Sequence, residues 1–280
     1  NNLSYAGGVL LFNTTNFSSF SANSVLACGD TITSSTTITA NLSGCSADGL
    51  IIGANDITLD CAGYMINYSA SASGDRVDNS GGYSGVTIKN CLIISGSSTA
   101  NDGVNLGNAI NNIVENNTIN TAGGAARGVL LSFSNDTTVR NNNITVTGST
   151  GGGILAAASS NNTIYENSIV SQGTYGIQMQ STTDNNLIWN NNISDTDNAT
   201  IIDTTGTTST NILIYNNSFG QINWTKTDLS TNISLAIGDT IFLEDNLTGL
   251  TDNNLALELN GTAVIELRGL PYVSEPYLLK

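Results

Sequence analysis

Asn111 to Ile119 reads NNIVENNTI, and the phrase returns as DTTVRNNNI from Asp136, NNTIYENSI from Asn161, NNLIWNNNI from Asn185 and NILIYNNSF from Asn211. Successive copies start 25, 25, 24 and 26 residues apart. Two degenerate copies lie upstream, Gly85 to Ile93 (GVTIKNCLI) and Asp56 to Cys61 (DITLDC), and a second signature keeps the same period, a glycine leading an apolar alternation at Gly103, Gly128, Gly153 and Gly176. A repeat of this length, holding two or three short alternating segments between Asn- or Gly-rich turns, is one β coil per period. Stacked coils pair each strand in parallel with its equivalent in the next, which buries the apolar columns and leaves edges only at the two ends. The expected fold is all-β, a parallel β-helix of about seven coils.

The columns of the phrase can be read one at a time. Position four is aliphatic in every copy (Leu59, Ile88, Val114, Val139, Ile164, Ile188, Ile214), and position nine runs Ile93, Ile119, Ile144, Ile169, Ile193 and Phe219. Both are expected to form the core. Position seven is asparagine in five consecutive coils, Asn117, Asn142, Asn167, Asn191 and Asn217, which predicts a stacked amide ladder at a tight, left-handed corner. Position five should face outward. Its occupants are Asp60, Lys89, Glu115 and Arg140, alternating in sign, and then Tyr165, Trp189 and Tyr215. The charges predict a cross-strand ion-pair ladder. The aromatic trio reads as a stacking ladder, as a subunit contact or as a platform for sugar rings.

Composition narrows the function. Seven basic residues against 22 acidic ones give a net charge of −15, which opposes nucleic acid or an anionic bilayer as partner. There is no histidine, so neither a histidine triad nor a histidine metal site can be built. No apolar run approaches the roughly 18 residues of a membrane span. Four cysteines and sixteen Asn-X-Ser/Thr sequons point to an extracellular, cell-surface location and covalent N-glycans. Asn13, Asn143, Asn192, Asn223, Asn232 and Asn246 are the expected glycan sites, whereas Asn116 and Asn216, at position six, are expected to face inward and stay unmodified. Three cysteine pairings are open. Cys61 and Cys91 fall one position apart in successive coils and could bridge neighbouring rungs, leaving Cys28 for Cys45.

The repeat covers residues 24–220. Residues 1–23 lie outside it, and Tyr5 to Phe12 (YAGGVLLF) is too apolar for an exposed terminus. That segment either caps the first coil of its own chain or adds a strand to a neighbour. Residues 221–280 lose the period and read as a small antiparallel module, with strands at 233–237, 240–243, 255–259 and 263–267, a hairpin at Asn260-Gly261 and an extended tail from Gly269.

The recurring N-x-I-x-x-N-x-I phrase resembles the right-handed parallel β-helix superfamily, the pectate-lyase-like group, and within it NosD-like repeats. The stretches CGDTITSSTTITANLSGC from Cys28 and GLIIGANDITLDCAGYMI from Gly49 are similar to the first coils of archaeal and bacterial surface proteins of that kind. The resemblance implies the fold far more firmly than any activity, because such scaffolds carry lyases, hydrolases, adhesins and structural spikes alike. Its enzymes use clustered carboxylates, calcium or a basic proton abstractor. Here Asp102, Arg127, Asp136, Arg140 and Glu166 read as scattered through different columns, with no Asp-Asp pair on adjacent coils, so no catalytic residue and no metal site is assigned. Calcium at Asp195, Asp197 and Asp203 is the one cofactor considered, against the plainer reading of a solvated acidic turn. The expected function is structural: a subunit of a surface filament, sheath or surface layer that self-associates head to tail through its termini. The alternatives are a carbohydrate-binding adhesin using Tyr165, Trp189 and Tyr215, and a polysaccharide lyase or hydrolase.

Overall fold

The computed structural model describes residues 3–6, 9–12, 26–68, 74–96, 101–195, 199–205, 210–224, 229, 231, 234–245, 247–250 and 263–269. They form short strands joined by turns and irregular segments, with no helix among the described residues. The chain coils through three sheets in turn, giving a parallel β-solenoid with a small antiparallel piece near its C-terminal end. The eight-stranded sheet runs from Asp30–Ile32 to Ala199–Asp203, and the seven-stranded sheet from Leu42–Cys45 to Asn192–Asp195. The ten-stranded sheet starts at Thr36–Thr37, is parallel as far as Ile212–Asn216, and adds Gly220–Trp224 and Ala263–Leu267 antiparallel.

The register follows the nonamer. Ile88 pairs with Val114, Val114 with Val139, Val139 with Ile164 and Ile164 with Ile188, all fully buried, while Ile93, Ile119, Ile144, Ile169 and Ile193 form the second buried column. The last copy departs from it by one residue. Trp189 pairs with Ile214, so Leu213 takes the core position expected of Ile214, and Tyr215 turns inward and is buried. The chain then reverses into Gly220–Trp224, and Phe219 is left exposed instead of in the core. A fixed frame counted from Asn185 misses this because the structural equivalent of Asn186 is Asn211, 25 residues on.

Two amide ladders hold the corners. At position seven, the Oδ1 atoms of Asn117, Asn142, Asn167 and Asn191 accept the backbone N–H groups of Cys91, Asn117, Asn142 and Asn167 at 2.9–3.1 Å. The side-chain amides of Asn117, Asn142, Asn167 and Asn191 in turn donate to the carbonyls of Ile88, Val114, Val139 and Ile164. The left-handed residue is the one before: Asn90, Asn116, Asn141, Glu166 and Asn190 have φ between 48° and 56°. Hence Asn116 is exposed, not inward. Asn217 lies beyond the ladder, where its Oδ1 accepts from the N–H of Phe219. The top of the ladder is instead Tyr215, whose hydroxyl donates to the Asn191 carbonyl at 2.6 Å. Asn112, Asn162, Asn186 and Asn211 form the second ladder, accepting from Val86, Thr137, Asn162 and Asn186.

The recurring glycines are set by close approach. A Cβ on Gly103 would lie 2.6 Å from the Gly128 carbonyl oxygen and against Ile119, and Gly128, Gly153 and Gly176 face the same pair of neighbours one rung on each time. Gly128→Ala is therefore expected to destabilise the fold by about 2 kcal/mol through overpacking against backbone, read as a lowered denaturation midpoint. Cys28 is bonded to Cys45 and Cys61 to Cys91. The second bridge joins neighbouring rungs and ends the first ladder at Cys91. Closing a loop of 30 residues contributes roughly 3 to 4 kcal/mol by chain-entropy reasoning.

The ends differ. Near the C-terminus the chain crosses back antiparallel over all three sheets, with Gly220–Trp224 on Ile212–Asn216, Thr231 on Ile201 and Leu235 on Ile193. Of the expected later strands, 241–244 pairs with Leu247–Leu250 and 263–267 is present, while 234–237 forms only isolated bridges. The hairpin at Asn260-Gly261 and the strand at 255–259 lie outside the described residues. In the N-terminal extension, Leu3–Ala6 pairs antiparallel with Val9–Phe12.

Candidate functional site

The outward column of the ten-stranded sheet carries the most chemistry on the surface. Lys89 Nζ lies 3.6 Å from Asp60, and Arg140 Nε donates to Glu115 at 2.8 Å. The Asn90 side-chain amide and the Ala62 N–H both donate to Asp60, holding its carboxyl below the usual range. Arg140 also donates to the Tyr165 hydroxyl at 2.8 Å, with its guanidinium carbon 6.0 Å from the centre of that ring. Tyr165 and Trp189 stack with centroids 5.0 Å apart and planes 27° from parallel, and Trp189 Nε1 donates to Asn216 Oδ1.

This geometry decides how the column can be used. Rings that stack along the rod axis turn their faces to each other and their edges to solvent. Tyr165 has Arg140 on one side and Trp189 on the other, and Ile214 takes the next place beyond Trp189 in the same column. Tyr215 does not belong to the strip at all. It packs edge-on against Trp224 inside the rod, and burial keeps its phenol protonated far above the usual range.

A second polar column, unforeseen from the sequence, runs along the entry to the eight-stranded sheet. The N–H of Asp75 donates to Asp48, that of Asp102 to Asp75 and that of Arg127 to Asp102, each at 2.8–2.9 Å. Asp102 and Arg127 therefore share one column, and carboxylates do stand on adjacent coils, contrary to the scattered reading. Arg127 holds both oxygens of Asp102, at 2.8 and 3.0 Å, and Asn105 donates to Asp75 at 2.7 Å. The fully buried Arg76 donates to the Gly74 carbonyl and to Ser95 Oγ. Tyr175 lies buried against Gly152, one rung beyond Arg127. Burial first, and Asp102 second, push the Asp75 carboxyl up to about 6. The Asp102 carboxyl also sits above its ordinary value, because its burial outweighs the pairing with Arg127. The column is thus a backbone-binding ladder able to hold a proton on Asp75 in mild acid. Asp136 and Glu166 are elsewhere, exposed at left-handed turns.

Among the expected glycan sites, Asn143 and Asn192 are exposed at the outward starts of their strands, and Asn223 is half-buried between two strands. Asn13, Asn232 and Asn246 lie outside the described residues, as do Asp197 and the side chain of Asp195. Asp203 is buried and accepts from the Thr205 N–H and from Asn211. For metal binding the donor set is narrow. Histidine is absent, all four cysteines are in disulfides, Met179 is fully buried, and the described residues hold no group of three or more His, Cys, Asp or Glu suited to a metal ion. No described helix is long and apolar enough to cross a membrane.

Residues 4–234 match the model of a protein family described as NosD, periplasmic copper-binding protein. No curated protein and no solved structure matches the chain.

Proposed function

The chain belongs to the NosD family, and from that premise we propose that it is an extracellular or periplasmic structural protein, the subunit of a surface filament, sheath or layer that assembles through its ends. The family description names copper, but the residues here do not fit it. Copper prefers imidazole and thiolate or thioether donors, and this chain has no imidazole, no free thiol and, of its two methionines, one sealed in the core. No step of the function is routed through a metal.

The observation that carries the structural reading is that ladders of polar and aromatic groups bind each rung of the rod to the next. Two amide ladders, a carboxylate ladder, the Cys61–Cys91 disulfide and an outward charge and ring column all bind coil to coil. Such a body resists bending and shearing, and it leaves the termini as the places where contacts vary. We assign it no catalytic residue. Asn143 and Asn192, exposed in Asn-Ile-Thr and Asn-Ile-Ser sequons, are its best-placed glycan acceptors. A sugar-binding role has less support, since the column holds two rings stacked on each other in place of a three-ring strip. Electron microscopy of the purified protein over a range of ionic strengths is expected to reveal filaments or sheets with one rod per repeat. Isolated rods at every concentration would overturn the proposal.

A further inference from the structure

The ten-stranded sheet ends differently from the other two. Gly220–Trp224 runs antiparallel to Ile212–Asn216, and Ala263–Leu267 runs antiparallel to Gly220–Trp224. Two reversals restore the direction of the parallel strands. The alternation of faces is restored as well: Ala263 stands level with Trp224 and Leu213, and Ile265 with Ile222 and Tyr215, on the core side, while Val264 stands with Asn223 and Ile214 outside. The final strand thus has the polarity and pattern of another rung. Nevertheless Val264 and Ile265, on its two opposite faces, are 56% and 52% exposed, and nothing pairs with its outer edge among the described residues. An apolar edge of this kind is a template for further pairing.

At the far end of the same sheet stands Thr36–Thr37, whose outer edge is likewise unpaired among the described residues. Thr36 lies in the Leu59 column and Thr37 in the Asp60 column. Followed rung by rung, those columns arrive at Ala263 and Val264. Resting on the head-to-tail reading above, we infer that the outer edge of Ala263–Leu267 receives the Thr36–Thr37 edge of a second copy in parallel, Thr36 beside Ala263 and Thr37 beside Val264, so that one sheet runs on from molecule to molecule. A second copy is the fitting occupant because each molecule carries both edges, one at each end. A heterologous contact of this sort propagates into an open array. Pairing two Ala263–Leu267 strands with each other would cover the apolar edge but leave every Thr36–Thr37 edge bare and stop at a dimer.

The test is cysteine cross-linking of the full chain, whose four native cysteines are already bonded. Under mild oxidation the double variant Val264→Cys with Thr37→Cys should give a ladder of multimers on a non-reducing gel, and Val264→Cys alone should stay monomeric. A dimer from Val264→Cys alone overturns the inference in favour of tail-to-tail pairing. A monomeric double variant, in a protein whose wild type still forms filaments, overturns the inference and leaves the head-to-tail reading standing. A wild type that never assembles removes both. Val264→Lys, at an exposed site on the outward face, should abolish assembly while the denaturation midpoint of the monomer stays unchanged; filaments unaffected by that charge would also overturn the contact.

Discussion

Replacing Asn142 by alanine is expected to destabilise the rod by about 4 kcal/mol, because it leaves several buried partners without a bond, each such loss costing roughly 1–3 kcal/mol. Asn142 Oδ1 accepts from both the backbone N–H and the side-chain amide of Asn117, and its own amide donates to the Val114 carbonyl and to Asn167 Oδ1. All of these groups are buried, so water cannot replace the lost partner. Asn142→Asp separates the causes. A carboxylate keeps the acceptor for Asn117 but has nothing to donate to Val114, and it brings a charge into the core. The Asp variant should therefore be the less stable of the two at pH 7 and should recover part of the difference in acid, when protonation restores a donor. Asn141→Ala, at the exposed neighbouring residue with φ 53°, should cost only the left-handed backbone preference, about 1 kcal/mol. Denaturant midpoints of the three variants check the order. Equal losses at Asn141 and Asn142 would mean that the corner geometry, and not the amide ladder, holds the rungs.

Why one ladder was legible in the sequence and others were not follows from how coils stack. The position-seven asparagines stand out because their coils differ by at most a residue in length, so one frame aligns them. The position-two ladder occupies the same frame through Asn112, Asn162 and Asn186, but threonine stands at 137, and its last member, Asn211, falls one place early. Tyr215 fails for the same reason. The frame assumes that the final coil continues, whereas the strand there reverses, and a shift of one residue in a strand exchanges the inward and outward faces. The carboxylate column was hidden more deeply. Asp48, Asp75 and Asp102 are spaced by 27 residues through the least regular coils, outside the phrase, and only the folded contact between rungs brings their backbone and side chains together. The family and the fold, by contrast, rest on the regular middle of the chain, where apolar pattern and turn chemistry agree at every coil.

That hidden column should make the rod more stable in mild acid than at neutrality. The Asp75 carboxyl is pushed from an ordinary 3.8 up to about 6 in the folded chain. A raised acid binds its proton more tightly folded than unfolded, so stability grows as pH falls through 6 and is fully gained below the unfolded value near 4. The largest effect a shift of this size allows is about 3 kcal/mol, and about 2 kcal/mol is expected because Asp75 is only half-buried. Among the groups facing it are Asp48 on the preceding rung, Asp102 and Asn105 on the following one and Asp78 in the strand that follows it, with Arg127 bonded to Asp102. Asp75→Asn should accordingly raise stability at pH 7 and flatten the profile between pH 4 and 7, while the Asn105 amide turns over to meet the new side chain. Asp102, also raised, favours the folded state in acid while Asp60, held low, opposes it, so the difference between wild type and variant is the quantity to measure. Parallel curves for the two proteins across that range would show that Asp75 carries no proton of its own and that the column is held by its backbone bonds alone.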